Sequence, residues 1–156
     1  MILRPLTAAD LAPARALFVA EAPRHAYVAR ALEILEEAAK ATGEYHGAVA
    51  VDDTGEIVGV VLFGLVAGTV GGGALHGLVV AEGARRRGAG RALVEAACAE
   101  LAALGARLAV AELPDDPALR ALHALLVSTG FAEQARAPDL VRDGVALTFL
   151  VRSLGA

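Results

Sequence analysis

Seven consecutive residues, Arg85-Arg86-Arg87-Gly88-Ala89-Gly90-Arg91, combine four guanidinium groups with two glycines, a combination suited to a diphosphate. Leu78-Val79-Val80 before them reads as the end of a strand, and the apolar spacing after them is helical, so the glycines fall where a helix begins. Free N–H groups at a helix N-terminus, together with the helix dipole, favour an anion. Gly88 and Gly90 carry no Cβ, which lets a phosphate approach the main chain. Arg85, Arg86, Arg87 and Arg91 add positive charge around it. A dinucleotide suits such a turn, because Gly88-Ala89-Gly90 begins a G-x-G-x-x-G pattern and Glu112 ends the next strand, where a ribose-binding acid belongs. However, Leu93 stands at the third glycine position, and too few elements follow the turn for two mononucleotide halves. Coenzyme A is the other diphosphate that fits.

The elements that position this turn follow from periodicity and breakers. Ile2–Leu6 reads as a strand, and Thr7 caps a helix with Asp10 in capping-box position. Pro23 marks the end of that helix. A second helical stretch covers residues 24–42, with Val28, Leu32, Leu35 and Ala39 on one face and Gly43 as the stop. Gly47–Val51 and Ile57–Val66 flank a Gly-containing loop as a hairpin. Ala74–Val80 is a further strand after a glycine-rich connection. Gly88–Leu104 forms a helix with Leu93, Ala97, Leu101 and Leu104 as its apolar stripe, and Arg107–Leu113 forms a strand. Asp116-Pro117 opens another helix that runs to Thr129, with Gly130 at its C-terminal cap position. Two last strands lie near Phe131–Val141 and Val145–Val151. The order β-α-α-β-β-β-α-β-α-β-β, without repeats or linkers, predicts one α/β (α+β) domain over residues 1–156.

Composition narrows the function classes. A chain of 156 residues can bury a core without staples. A net charge of −4 argues against a nucleic-acid footprint. Thirteen of the fourteen basic residues are arginines, a bias of background composition. The lone Cys98 leaves no intramolecular disulfide and suits a reducing, cytoplasmic setting. No Cys/His cluster suggests a metal. The stretch 57–81 lacks formal charge and is long enough to span a bilayer. Its seven glycines fit two strands better than a helix, so no membrane is expected.

With these elements placed, the chain resembles the GNAT superfamily of acyl-CoA-dependent N-acyltransferases. Arg85, Gly88 and Gly90 match the R/Q-x-x-G-x-G/A signature, with Val80 five residues before the arginine. Leu3-Arg4-Pro5-Leu6-Thr7 with Asp10 and Leu11 is similar to a family opening. Ala48–Val51 with Gly55–Gly59 resembles its hairpin, and Thr129-Gly130-Phe131 the end of its penultimate helix. The resemblance implies a mixed, mostly antiparallel, twisted sheet of about seven strands with four helices. It also implies a fourth strand that splays from the fifth, with the pantetheine arm in the gap. Leu78, Val79 and Val80 would then bond the pantetheine and polarise the thioester carbonyl. Main-chain amides from Arg86 through Arg87, Gly88, Ala89 and Gly90 to Arg91 would hold the pyrophosphate. Acetyl-CoA is the implied cosubstrate, and the implied acceptor is a small-molecule or peptide amine that attacks the thioester directly, with no metal and no covalent enzyme intermediate. A homodimer fits the same picture.

Proton transfer needs further residues. An amine of pKa about 10 is mostly protonated at neutral pH, so a base is required. His76 is the candidate: some family members carry an active-site histidine at the matching place, four residues before the valine. Strand alternation predicts that His76, Leu78 and Val80 point the same way. A histidine merely packed on the sheet is the plain alternative. Many members also carry a tyrosine four residues before Gly-Phe as proton donor; Leu126 stands there instead. His123, one turn earlier on roughly the same helix face, and Ser128 are the possible substitutes. Cys98 reads as core, and Glu112, Asp115 and Asp116 as capping or acceptor-attracting acids. Glu21 and His25 flank the join of the first two helices, and His46 has no argued role. A domain that binds acyl-CoA without catalysing transfer is the alternative that Leu126 invites.

Overall fold

The computed structural model describes residues 1–21 and 26–155. The expected helix end at Pro23, and His25, lie outside the described residues. Strand β1 is Ile2–Pro5, followed by a 3₁₀ turn at Ala8–Asp10 and helices α1 (Leu11–Glu21) and α2 (Ala26–Lys40). Strands β2 (Tyr45–Val51), β3 (Ile57–Leu65) and β4 (Gly72–Val80) lead to helix α3 (Ala89–Ala103). Strand β5 (Leu108–Pro114), helix α4 (Arg120–Ser128), and strands β6 (Ala132–Arg142) and β7 (Val145–Ser153) complete the described elements.

The seven strands form one sheet in the order β1-β2-β3-β4-β5-β7-β6. Every neighbouring pair is antiparallel except β4 with β5. A single parallel pair cannot supply two mononucleotide-binding halves, so the dinucleotide alternative falls with the topology. The expected mixed, mostly antiparallel sheet with four helices is what the chain forms. No described helix is long and apolar enough to cross a membrane; residues 57–81 supply β3 and β4 instead.

Two cores lie on opposite faces of the sheet. Under α3 and α4, Leu93, Val94, Ala97, Cys98, Leu101 and Leu126 pack on Val61, Leu75, Ala111 and Leu150. Under α1 and α2, Leu17, Phe18, Ile34 and Leu35 pack on Val49, Val60, Leu62 and Val79. Leu104, expected at the end of the α3 stripe, is exposed, whereas Cys98 is buried and burial raises its thiol pKa. On α2 the buried stripe is Ala31, Ile34, Leu35, Ala38 and Ala39, shifted from the expected one. Gly72 and Gly73, expected in the connection, belong to β4. A Cβ on Gly73 would stand 3.1–3.2 Å from Leu101 and Ala106, so a side chain there would press on both, and glycine lets them seat closely on the strand.

The opening corner is held by one carboxylate. Asp10 accepts from both Arg4 guanidinium nitrogens at 2.7 and 2.9 Å, and from the Thr7 N–H and hydroxyl at 2.8 and 3.0 Å. The Arg4 guanidinium, then the Thr7 donors, hold its carboxyl at about 2, below the ordinary 3.8, against the opposing effect of burial. The folded value is depressed, so this stabilisation is complete above pH 3.8 and is lost as pH falls toward 2. Asp10→Ala is expected to lower stability by about 2 kcal/mol at neutral pH, read as a lower urea midpoint, with the difference shrinking in acid.

Candidate functional site

The site begins where β4 and β5 part. They pair from Gly72↔Leu108 to Leu75↔Ala111 and no further, although β4 continues to Val80 and β5 to Pro114. On its other side β4 stays paired with β3 to Gly59↔Val80, and the Ala81 N–H donates to the Val58 carbonyl at 2.8 Å. Main-chain groups alternate sides along a strand. Those of Val79 and Ala81 therefore serve β3, while those of Leu78 and Val80 face the gap that β5 has left. Leu78, Val80, Leu122 and Leu125 are partly buried apolar residues packed against the α3 core.

A bulge sits at the point of parting. The register steps from Leu62↔Gly77 to Phe63↔Leu75, so His76 is the extra residue. Leu75, Leu78 and Val80 all belong to the α3 side. Gly77 faces Phe18 of α1, and Val79 packs in the α1/α2 core. His76 also turns to that side, where its ring meets Tyr45 of β2 edge-on, with centroids 5.3 Å apart. The expectation that His76, Leu78 and Val80 share a face is thus overturned, because the inserted residue breaks the alternation. Gly77 within a strand pattern was the one sequence signal of a bulge.

The imidazole of His76 is a poor proton holder. Its Nε2 is screened from solvent and has no hydrogen-bond partner among the described residues. Burial lowers its pKa below the ordinary 6.5, and the positive charge of Arg30 lowers it further. Arg30 also donates to the Tyr45 hydroxyl at 3.4 Å. The sequence reading missed Tyr45 and Arg30, since nothing local connects β2 or α2 with His76.

Beyond Val80 the chain turns through a short 3₁₀ segment into α3. Gly88 is the N-cap in the left-handed region at φ 83°, and Arg86 also has positive φ, at 64°. The Ala92 N–H donates to the Gly88 carbonyl at 3.0 Å, so the N–H groups of Ala89, Gly90 and Arg91 precede the first intrahelical bond. The arginines divide their work. Arg85 Nε donates to the Val80 carbonyl at 3.1 Å, and its Nη2 reaches the Glu21 carboxylate at 3.3 Å, tying the turn to β4 and α1. Arg91 donates to the Ser128 carbonyl and hydroxyl, both at 3.2 Å, joining α3 to α4. Arg86 and Arg87 are exposed and make no hydrogen bond or ion pair among the described residues. The reason for Gly90 also changes: a Cβ there would stand 2.8 Å from Leu125 Cδ2, so its smallness serves helix packing.

On α4, Leu126 is buried in the core while His123 is exposed, so the two do not share a face as expected. His123 lines a cavity of about 210 Å³ with Asp115, Asp116, Pro117 and Arg120 at the end of β5. Asp116 caps the following helical turn through the Ala118 N–H at 2.9 Å and pairs with Arg142 at 2.9 Å. Asp115 pairs with Arg136 at 3.0 Å. His46 stacks on Phe63. No group of three potential metal ligands occurs among the described residues.

The fold and the site define an α/β class in which the one parallel strand pair of a mostly antiparallel sheet parts beside a glycine-capped helix. The family model for the Acetyltransferase (GNAT) family matches residues 12–126, and the chain belongs to that family. No curated protein matches it in sequence. Among solved structures it is similar to a GNAT-family protein from Desulfovibrio desulfuricans, with 22% identity, 99% of each chain covered and a TM-score of 0.87. It is also similar to an aminoglycoside 6'-N-acetyltransferase complexed with coenzyme A, with 17% identity, 100% and 98% coverage and a TM-score of 0.84. A third is ribosomal-protein-alanine N-acetyltransferase from Brucella melitensis, with 23% identity, 99% and 100% coverage and a TM-score of 0.78. At these identities the likeness is one of fold.

Proposed function

We propose that the protein is an acetyl-CoA-dependent N-acetyltransferase that moves the acetyl group directly to an amine. The observation that carries this reading is the parting of β4 and β5 after Leu75 and Ala111, with the Leu78 and Val80 main chain turned into the gap. A pantetheine arm there bonds β4 as a further strand would, and its diphosphate reaches the first turn of α3. Ala89, Gly90 and Arg91 supply main-chain donors, and Arg86 and Arg87 supply uncommitted charge. A main-chain N–H of β4 polarises the thioester carbonyl in the manner of an oxyanion hole. His76, kept neutral at physiological pH by its burial, takes a proton from the bound ammonium directly or through one water, so that the free amine attacks the thioester carbonyl and the CoA thiolate departs. Thiol release from acetyl-CoA across a panel of small amines and peptides tests the reading; no turnover with any of them would defeat it.

The buried Leu126 favours a second reading, a domain that holds acyl-CoA without catalysing transfer, because α4 packs leucines against the α3 core and offers no acid there. His123 is the donor to test, and an unchanged rate in His123→Ala leaves thiolate protonation to Ser128 or water. The arginine division gives another prediction. Arg87→Gln is expected to weaken CoA binding by about tenfold, from the loss of a charge-assisted contact. Arg85→Gln should cost about threefold or less, because its guanidinium is engaged at Val80 and Glu21. Titration calorimetry with CoA separates the two.

A further inference from the structure

On the α1/α2 side of the sheet, the part formed by β5, β7 and β6 lies beyond the strands on which those helices pack. On β5, Ala109, Ala111 and Leu113 are buried on the α3 side, as is Leu150 of β7. Alternation therefore turns Val110 and Glu112 to the opposite face. The register places Val151 beside Val110, Phe149 beside Glu112, and Leu147 beside Pro114. Beyond them on β6 stand Ala135 next to Phe149 and Ala137 next to Leu147. Helices α1 and α2 lie on the same side of the sheet but pack on β2, β3 and β4, and their core ends at Val79. Val110, Leu147, Phe149 and Val151 are left half-buried.

An antiparallel face turned to water ordinarily carries polar residues, yet this one presents two valines, a leucine and a phenylalanine. Its acidic member is Glu112, which is exposed and makes no hydrogen bond or ion pair among the described residues, while Arg142, opposite Val145 at the far end, is paired with Asp116. The neighbouring cations are engaged elsewhere: Arg136 with Asp115 and Glu133, and Arg152 with Glu95 of α3. Glu112 is the first residue of β5 past the last pairing with β4, and His76 holds the equivalent place on β4 and faces the same side. The alanines of β6 leave the Phe149 ring uncrowded on its outer flank.

We infer that this face is the acceptor surface, and that it selects a primary ammonium attached to a flat apolar group. The cation sits at the Glu112 carboxylate, beside the parting of the strands, and the apolar group lies on Phe149 and its valine and leucine neighbours. Carboxylate and aromatic ring side by side both favour a cation, while a negative group on the acceptor meets the apolar side chains beside Phe149, the Arg142 cation beyond them being engaged by Asp116. Glu112 is thereby a specificity-determining residue of the acceptor site. The inference rests on the transfer reading for its purpose, but it is tested by binding alone.

The experiment is titration calorimetry of the full chain, with CoA present, against benzylamine, its neutral isostere benzyl alcohol, and 4-(aminomethyl)benzoate. Benzylamine is expected to bind saturably and at least tenfold more tightly than either of the others. In Glu112→Gln its affinity should fall to that of benzyl alcohol while the affinity for CoA stays the same. Phe149→Leu should weaken benzylamine without altering CoA. Absence of saturable benzylamine binding, equal binding of benzyl alcohol or the benzoate, or unchanged benzylamine affinity in Glu112→Gln would each overturn the assignment. Benzylamine that binds as described but is never acetylated counts against acetyl transfer and leaves the acceptor surface standing.

Discussion

Replacing His76 with alanine is expected to lower kcat by roughly 100- to 10,000-fold, the range for loss of a positioned base. The pH dependence distinguishes this from damage to the sheet. Only the neutral imidazole accepts a proton, so the wild-type rate should rise with pH through a value below 6.5 and be level by neutrality, because burial lowers this pKa. In His76→Ala that limb should vanish; a limb that survives removes His76 from the mechanism. The same shift has a consequence for stability. An unfolded histidine binds a proton more readily than the buried one, so folding stability declines as pH drops below 6.5. A variant with phenylalanine at position 76 should lose that part of the acid sensitivity, seen as a smaller fall in melting temperature between neutral and mildly acidic buffer.

Gly88→Val is the second large effect expected. Gly88 caps α3 at φ 83°, with nothing within 4 Å of where a Cβ would stand. The obstacle to a side chain is therefore backbone conformation rather than space. A β-branched residue in the left-handed region costs about 1–2 kcal/mol or more. The turn can escape that strain by leaving the conformation that aims the Ala89 and Gly90 N–H groups forward. Affinity for CoA should fall by at least about tenfold, the equivalent of 1.4 kcal/mol, with a smaller loss of melting temperature. Gly90→Ala gives the contrast: it presses on the far end of the flexible Leu125 side chain and leaves the backbone free, so a mainly structural penalty is expected. Equal losses of CoA affinity in the two variants would deny Gly88 its special part.

What the sequence by itself determined is what neighbouring residues determine. The apolar spacing of α3, the Asp116-Pro117 start of the next helical turn, the capping carboxylate of Asp10 and the strand–glycine–helix order around Gly88 are local patterns, and local physical chemistry decides them. The family followed from such patterns in their order along the chain. The tertiary structure decided how distant pieces meet. Leu104 ended an apolar stripe yet lies at an exposed helix end, and Gly73 looked like connection until the close seat of α3 gave it a place in β4. Arg85 read as a phosphate ligand, but Glu21, 64 positions away, engages it across the fold. Gly90 read as room for a phosphate, and its missing Cβ also makes room for Leu125.

The Arg85–Gly90 turn was legible because a helix N-terminus with glycine and arginine is recognisable within a few residues. The side to which His76 points was not. Strand alternation has a period of two, and one inserted residue reverses it. That insertion exists only in the pairing of β4 with β3, where Gly77 meets Leu62 and Leu75 meets Phe63. The residues around the imidazole, Tyr45 on β2 and Arg30 on α2, and the open face of Val110, Glu112 and Phe149 arise from strand order as well. Sequence spacing sets which residues a strand can show to one side; only the register with its neighbours decides which side that is.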